Sequence, residues 1–265
     1  MRHSSRCTGI IISAEMALRR EMKSKDKIFE NLITEPGDFV FDKRVVGVFP
    51  DMINRSIPGY GTIVPMIGML ARRYARPNTR LYDLGCSLGA VTLAMRNAVT
   101  VKGARIVAVD NAPEMVAGLR HTLDAHSEPG LPPVELRQED ICDTPINGAS
   151  VVVLNFTLQF VDPDHRGALL ERIATGLEPG DILVLSEKIR FEDTVEQKLQ
   201  TEWHHDFKRA QGYSELEIAR KRDALENVMI PESLEQHRER LFSAGFSSVH
   251  SWFQGFNFMS LVAFR

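Results

Sequence analysis

The 265-residue sequence predicts an α/β fold built on a doubly wound, mostly parallel sheet. Three observations carry that prediction. Between Thr79 and Lys188, short apolar or β-branched runs alternate with amphipathic segments of about three turns, the pattern of successive βαβ units. A glycine-bearing turn follows the first of these runs and leads straight into a helical pattern. At the other end of the chain, two strand-like runs, Ser247–Phe253 and Asn257–Phe264, are separated only by Gln254, Gly255 and Phe256. Three residues cannot make a crossover, so the two runs form a hairpin and the last strand is antiparallel to its neighbour.

Taken in order, residues 1–25 carry no core-forming period and read as a disordered extension from an upstream start codon, with Met22 as the true start. Residues 26–60 form an arm that Gly37, Pro50 and Pro58-Gly59 punctuate into short helices and loops. From Thr62 to Tyr74, Ile63, Met66, Ile67 and Leu70 recur at helical spacing. The arm and helix together cover 26–75, the first part of a single domain spanning 26–265.

Strands are expected at Thr79–Leu84, Arg105–Asp110, Val134–Gln138, Ser150–Phe156 and Asp181–Lys188, and helices at Gly89–Asn97, Pro113–Ala125 and Pro163–Gly176. Glu178-Pro179-Gly180 reads as the turn that launches the fifth strand. Residues 189–230 are charged and helical in pattern, a helical insertion after strand five, and 231–244 read as a further helix. A terminal hairpin on an otherwise parallel sheet marks the class I methyltransferase-like variant of the Rossmann-like folds; nicotinamide-binding domains usually lack it.

Composition narrows the function classes. With 32 Lys+Arg against 35 Asp+Glu the net charge is −3, so no global basic field argues for direct nucleic-acid binding. No run approaches the ~20 apolar residues of a membrane span. The three cysteines, Cys7, Cys86 and Cys142, include no CxxC pair and suit a reducing, cytoplasmic setting. No metal cluster stands out, because the adjacent His204, His205 and Asp206 point about 100° apart on a helix.

The strongest local signal is Asp83-Leu84-Gly85-Cys86-Ser87-Leu88-Gly89 between a strand and a helix. Its glycines permit a tight turn and close backbone approach to a ligand, although a plain turn would use them too. An acid ahead of the first glycine suits a ligand with ammonium and sulfonium charges. Ile106-Val107-Ala108-Val109-Asp110 ends a second strand in a carboxylate that can accept both hydroxyls of a ribose, or alternatively cap the next helix. Asp140 follows the third strand, where it can take an adenine amino group or merely solvate a loop. Asn155 ends the fourth strand, where open α/β sheets place ligands. Asn155-Phe156-Thr157 matches a glycosylation sequon, which its strand context makes a chance match. Four polar residues at four successive strand ends point to S-adenosyl-L-methionine.

Longer blocks are more specific. Residues 38–60 (DFVFDKRVVGVFPDMINRSIPGY), 82–87 (YDLGCS), 150–160 (SVVVLNFTLQF), 185–193 (LSEKIRFED), 205–216 (HDFKRAQGYSEL), 220–229 (RKRDALENVM) and 252–258 (WFQGFNF) strongly resemble the carboxy-S-adenosyl-L-methionine synthase family. The resemblance spans roughly 28–264; the chain departs in its N-terminal extension and at Gly255, where the family pattern has cysteine. It implies conversion of S-adenosyl-L-methionine and prephenate to carboxy-S-adenosyl-L-methionine and phenylpyruvate, without a metal. Prephenate aromatises by losing carbon dioxide, and the positive sulfur acidifies its methyl group, so that a proton can leave and the resulting ylide can capture the carbon dioxide. The two must meet away from water.

The resemblance further implies that Tyr60, Gly85, Cys86, Ser87, Asp110, Asn111, Asp140, Ile141 and Asn155 line the cofactor site. Cys86 would act through its backbone, and Tyr60 would close over the cofactor from the arm, although a residue after Pro58-Gly59 could equally serve the turn. Arg222, in Arg220-Lys221-Arg222 on the insertion, is implied as the catalytic anchor of the new carboxylate, whose shape a guanidinium fork matches. The implied partners are prephenate, a second copy of the chain in a homodimer, and a tRNA carboxymethyltransferase that uses the product at a wobble uridine. An ordinary methyltransferase acting on a small carboxylate or tRNA would use the same cofactor residues, and a non-catalytic binder would use the insertion as an interface.

Overall fold

The computed structural model describes residues 43–126, 128–225 and 228–265. The expectations for 1–25 and for the arm up to residue 42 lie outside the described residues. The arm beyond them consists of α1 (Lys43–Val46) and α2 (Phe49–Ser56), followed by α3 (Tyr60–Tyr74). Gly59, at φ 79°, gives α3 its left-handed entry, and a Cβ there would overlap the Phe253 ring.

The sheet is made of β1 (Arg80–Leu84), β2 (Arg105–Asp110), β3 (Val134–Gln138), β4 (Ala149–Asn155), β5 (Leu177–Lys188), β6 (Ser248–Gly255) and β7 (Phe258–Phe264). Their order is β3-β2-β1-β4-β5-β7-β6. β1 to β5 pair in parallel, and β7 lies antiparallel between β5 and β6. The predicted sheet, including its reversed last strand, is therefore present.

The crossovers are α4 (Ala90–Ala98), α5 (Pro113–Ala125) and α6 (Pro163–Gly176). Because side chains alternate across a strand, β1 sends Leu81 and Asp83 to one face, and Tyr82 and Leu84 to the other. The first face packs Leu81, Ile106, Val151 and Val184 against Ile63 and Ile67 of α3 and Val91 and Met95 of α4. The second packs Leu84, Val107, Leu154 and Leu183 against Leu169 and Ile173 of α6 and Leu241 of α9 (Leu234–Ser243).

Several element ends shift by one or two residues from the sequence reading, and three of the differences have a visible physical cause. Phe156 is left-handed at φ 59° and turns the chain out of the sheet, so β4 ends at Asn155. The Glu178-Pro179-Gly180 segment is absorbed into β5 as an irregularity, held by Glu178 N–H donating to the buried Asp181 carboxylate (2.9 Å) and Gly180 N–H donating to Arg265 C=O (2.9 Å). In the hairpin, β6 runs on to Gly255, opposite Phe258, leaving Phe256 and Asn257 as a two-residue turn. Phe256 takes the left-handed conformation that so tight a turn demands.

The insertion folds as α7 (Thr194–Ala210) and α8 (Glu215–Leu225). Asp193 caps α7 through Glu196 N–H (2.8 Å), and Ser233 with Gln236 forms a capping box on α9. A bridge between Ile189 and Glu232 closes the base of the insertion.

Candidate active site

β1, β2, β3 and β4 run parallel, so Leu84, Asp110, Gln138 and Asn155 all end on one edge of the sheet. The turn after β1 rises from that edge. Gly85 and Cys86 N–H both donate to Val109 C=O (2.8 and 2.9 Å), and Gly89 N–H donates to Cys86 C=O (2.8 Å). These bonds occupy the Cys86 amide within the scaffold and leave its carbonyl one free lone pair. Gly85, Ser87 and Gly89 are all left-handed, at φ 78°, 50° and 85°. A Cβ on Gly85 would overlap Thr157, and one on Gly89 would overlap Leu119.

Asp110 closes this turn. Its Oδ2 accepts from Ser87 N–H at 2.8 Å and its Oδ1 from Ala112 N–H at 2.9 Å. Burial raises its carboxyl above the ordinary range, while the two amides pull it back. Each oxygen keeps a lone pair for a ribose hydroxyl. Neighbouring Asn111 is exposed. Asp140 is exposed as well and accepts from Cys142 N–H at 2.7 Å, which turns the buried Ile141 toward the core under the third strand end.

Asp83 is nearly fully buried on the α4 side of the sheet, where Thr92 Oγ1 donates to it at 2.5 Å. Burial pushes its carboxyl up to about 7, with Asp110 adding to the rise. Among the described residues no cation pairs with it. Asn155 Oδ1 is likewise buried without a hydrogen-bond partner. An uncompensated carboxylate and an orphaned amide oxygen beside a backbone cradle suit a ligand that brings ammonium, sulfonium and hydroxyl groups.

Tyr60 reaches this edge from the start of α3, its ring 6.4 Å from that of Phe156. Burial, with Asp83 in second place, raises its phenol well above the ordinary value. Tyr60, Gly85, Cys86, Ser87, Asp110 and Asn155 are thus gathered around one edge. Arg222 is not gathered with them: its side chain is 63% exposed on α8, and its guanidinium grips Asp223 Oδ1 through Nε (3.0 Å) and Nη2 (2.8 Å). Its neighbour Lys221 points inward instead and donates to Ser56 Oγ at 2.6 Å.

The sequence reading missed several groups here. Thr157 roofs Gly85, and the buried Glu187 accepts Leu158 and Gln159 N–H (2.9 Å each), fixing the turn after Asn155. A buried acid at the end of an apolar strand was the available signal for Glu187. His204 is buried and its Nε2–H donates to Ser56 C=O (2.9 Å), so it is spoken for within the fold. No group of three His, Cys, Asp or Glu among the described residues could hold a metal ion. None of the described helices is long and apolar enough to cross a membrane.

A family model described as a methyltransferase domain matches residues 81–180, the stretch from β1 into β5. Sequence relatives extend much further. The carboxy-S-adenosyl-L-methionine synthase of Aeromonas salmonicida is 58% identical over 244 residues, covering 92% of this chain and 98% of that protein. The synthase of Geobacter sp. is 56% identical over 243 residues, covering 92% and 99%. The chain belongs to the carboxy-S-adenosyl-L-methionine synthase family. It is therefore a member of a family of enzymes on the class I methyltransferase fold. Solved structures agree on that fold: human N-acetylserotonin methyltransferase in complex with SAM aligns with a TM-score of 0.53 at 16% identity over 95% of this chain and 65% of that one. Magnesium protoporphyrin IX methyltransferase from Synechocystis, with bound SAM, gives 0.53 at 15% identity over 95% and 96%.

Proposed function

We propose that the chain converts S-adenosyl-L-methionine and prephenate to carboxy-S-adenosyl-L-methionine and phenylpyruvate. The observation that carries this reading is the identity above half over 92% of the chain, a span too long to leave out the insertion that a cofactor domain alone does not need. Both compounds are substrates. Asp83 takes the amino-acid end of S-adenosyl-L-methionine, where its charge finds the cation it lacks. Asp110 takes the ribose hydroxyls, Asp140 the adenine amino group, and Asn155 Oδ1 a donor near the sulfonium. Asn111 and Ile141 flank the base, and Tyr60 covers the site.

The reaction balances as prephenate plus S-adenosyl-L-methionine giving phenylpyruvate, carboxy-S-adenosyl-L-methionine and water. The ring C–C bond to the carboxylate breaks, hydroxide leaves the ring as it aromatises, and the proton from the methyl group neutralises that hydroxide. The methyl carbon forms the new C–C bond to carbon dioxide. Arg222 holds the carboxylate so formed by exchanging Asp223 for it, one ion pair replacing another. The same reading has the product used by a tRNA carboxymethyltransferase at wobble uridine, in the cytoplasm. It also has the chain working as a homodimer, for which the exposed Val195, Leu199 and Trp203 along α7 offer a surface.

Mass spectrometry of S-adenosyl-L-methionine incubated with the protein, with and without prephenate, tests the reading. A nucleoside heavier by one carbon dioxide, formed only with prephenate, is expected. Methyl transfer to any acceptor without that product overturns it.

A further inference from the structure

Two lysines beside the cofactor edge have no counter-charge. Lys188 ends β5, two residues past Ser186, which lies opposite Asn155, and across the ladder it faces Phe258. Lys208 lies one turn beyond His204 on the buried side of α7. Neither ammonium has a hydrogen bond or ion pair with any described residue, although Lys208 is only 8% exposed. The two sense each other: burial and then Lys188 lower Lys208 to about 8, and both lysines help hold His204 neutral after burial has done most of that work.

Other cations nearby are engaged, Arg55 with Asp51 and Lys221 with Ser56. The nearest acid along the strand, Glu187, points to the opposite face and is held by backbone amides. Beside the lysines runs an aromatic wall. His204 meets Phe258 edge-on with ring centroids 4.9 Å apart, Phe258 meets Phe156 at 5.9 Å, and Phe156 leads to Tyr60.

Lys188 is half-buried and Lys208 buried, and holding two unpaired ammoniums side by side in such a setting is costly, a cost that a bound anion would offset. We propose that Lys188 and Lys208 bind the second substrate, an aromatic-ring precursor with two carboxylates, by the side-chain carboxylate that survives the reaction. The ring then lies on the Phe258–Phe156 wall with its other carboxylate toward the sulfonium methyl. That carboxylate, left without a lysine, is the one lost as carbon dioxide. Two ammoniums balance the dianion overall. This assignment rests on the proposed conversion of prephenate.

Lys188→Met and Lys208→Met, each in the full-length protein, separate the two ideas. Carboxylated product from the wild type tests the conversion itself; the variants test the pocket. Each variant is expected to raise KM for prephenate, and the inhibition constant of phenylpyruvate, by about 10- to 100-fold, the usual effect of losing a charge-assisted contact. S-adenosyl-L-methionine affinity should stay unchanged, and the ligand-free melting temperature should hold or rise by about 2–4 °C, since an uncompensated charge is removed. Lys208→Arg should recover part of the KM. An unchanged KM in both variants overturns the proposal. So does a methionine variant that melts lower or loses S-adenosyl-L-methionine, which would assign the ammonium to the scaffold.

Discussion

Ser87 N–H donates to Asp110 Oδ2 across 2.8 Å, tying the turn after β1 to the end of β2. The residue that offers itself to a ribose thus also sets the shape of the glycine turn. Asp110→Ala removes both contributions, and S-adenosyl-L-methionine binding should weaken by about 1.5–3 kcal/mol, the range for hydrogen bonds to a charged group. Calorimetry reads it; an unchanged affinity would reduce Asp110 to a loop residue.

Gly85 should tolerate no side chain. Its φ of 78° strains any L-residue, and the added methyl would collide with Thr157. Gly85→Ala should cost about 2–4 kcal/mol in stability, combining the left-handed penalty with overpacking. Thr157→Ala in the same chain should restore only the packing part, because the backbone strain remains. Full rescue in a denaturant titration would show that φ is not the obstacle.

What was legible follows the range of the interactions. The strand–helix alternation, the Gly85–Gly89 turn and Asp110 are written in contiguous residues, and all stand where short-range patterns put them. Arg166 is different: fully buried, it donates through Nε to Val161 C=O (2.9 Å) and through Nη2 to Gln159 (3.2 Å) and Ile230 (3.0 Å) carbonyls, and its Nη1 pairs with Glu232 at 2.6 Å. Arg240 meets the same Glu232. In the sequence Arg166 is one more charge on an amphipathic helix, because its acid, Glu232, and the Ile230 carbonyl come from a segment about 65 residues away. Lys188 and Lys208 escaped for the same reason, since an ammonium without a partner leaves no local pattern. The hairpin shifted by two residues because only pairing with β7 fixes where β6 ends.

The raised Asp83 carboxyl predicts how binding responds to pH. With its value near 7 in the free protein, Asp83 is protonated below that point, and a cationic ligand must displace the proton. S-adenosyl-L-methionine affinity should therefore climb toward ~10-fold per unit below pH 7 and level off above it. The linked effect on stability has the opposite sign. A carboxyl raised on folding contributes most below its unfolded value, near pH 4, and that contribution is lost as pH rises through about 7. Ligand should thus protect against heat more at pH 8 than at pH 6. Calorimetry in two buffers of different ionisation enthalpy measures the released proton, and Asp83→Asn should abolish both the release and the slope.

Arg222 provides the sharpest test of the proposed chemistry, because its guanidinium lies outside the cofactor edge and is held by Asp223. If it takes the new carboxylate, Arg222→Ala should weaken carboxy-S-adenosyl-L-methionine far more than S-adenosyl-L-methionine. The two ligands share adenine, ribose and amino-acid groups, so those contacts cancel in the comparison. What remains is one charge-assisted pair, which loses roughly 2–5 kcal/mol when one partner of a buried pair is truncated. Solvent on the exposed side of α8 places the expectation at the lower end, a selectivity loss of about 30-fold. Arg222→Lys should recover only part, since an ammonium keeps the charge without the planar fork. Asp223→Ala should do the reverse and tighten the carboxylated ligand, because the guanidinium no longer has a competitor to leave. Equal losses for both ligands in Arg222→Ala would place the residue on the shared part of the cofactor. No loss for either would keep it with Asp223 on the surface, and the new carboxylate would then have to be held by inward-facing cations such as Lys221.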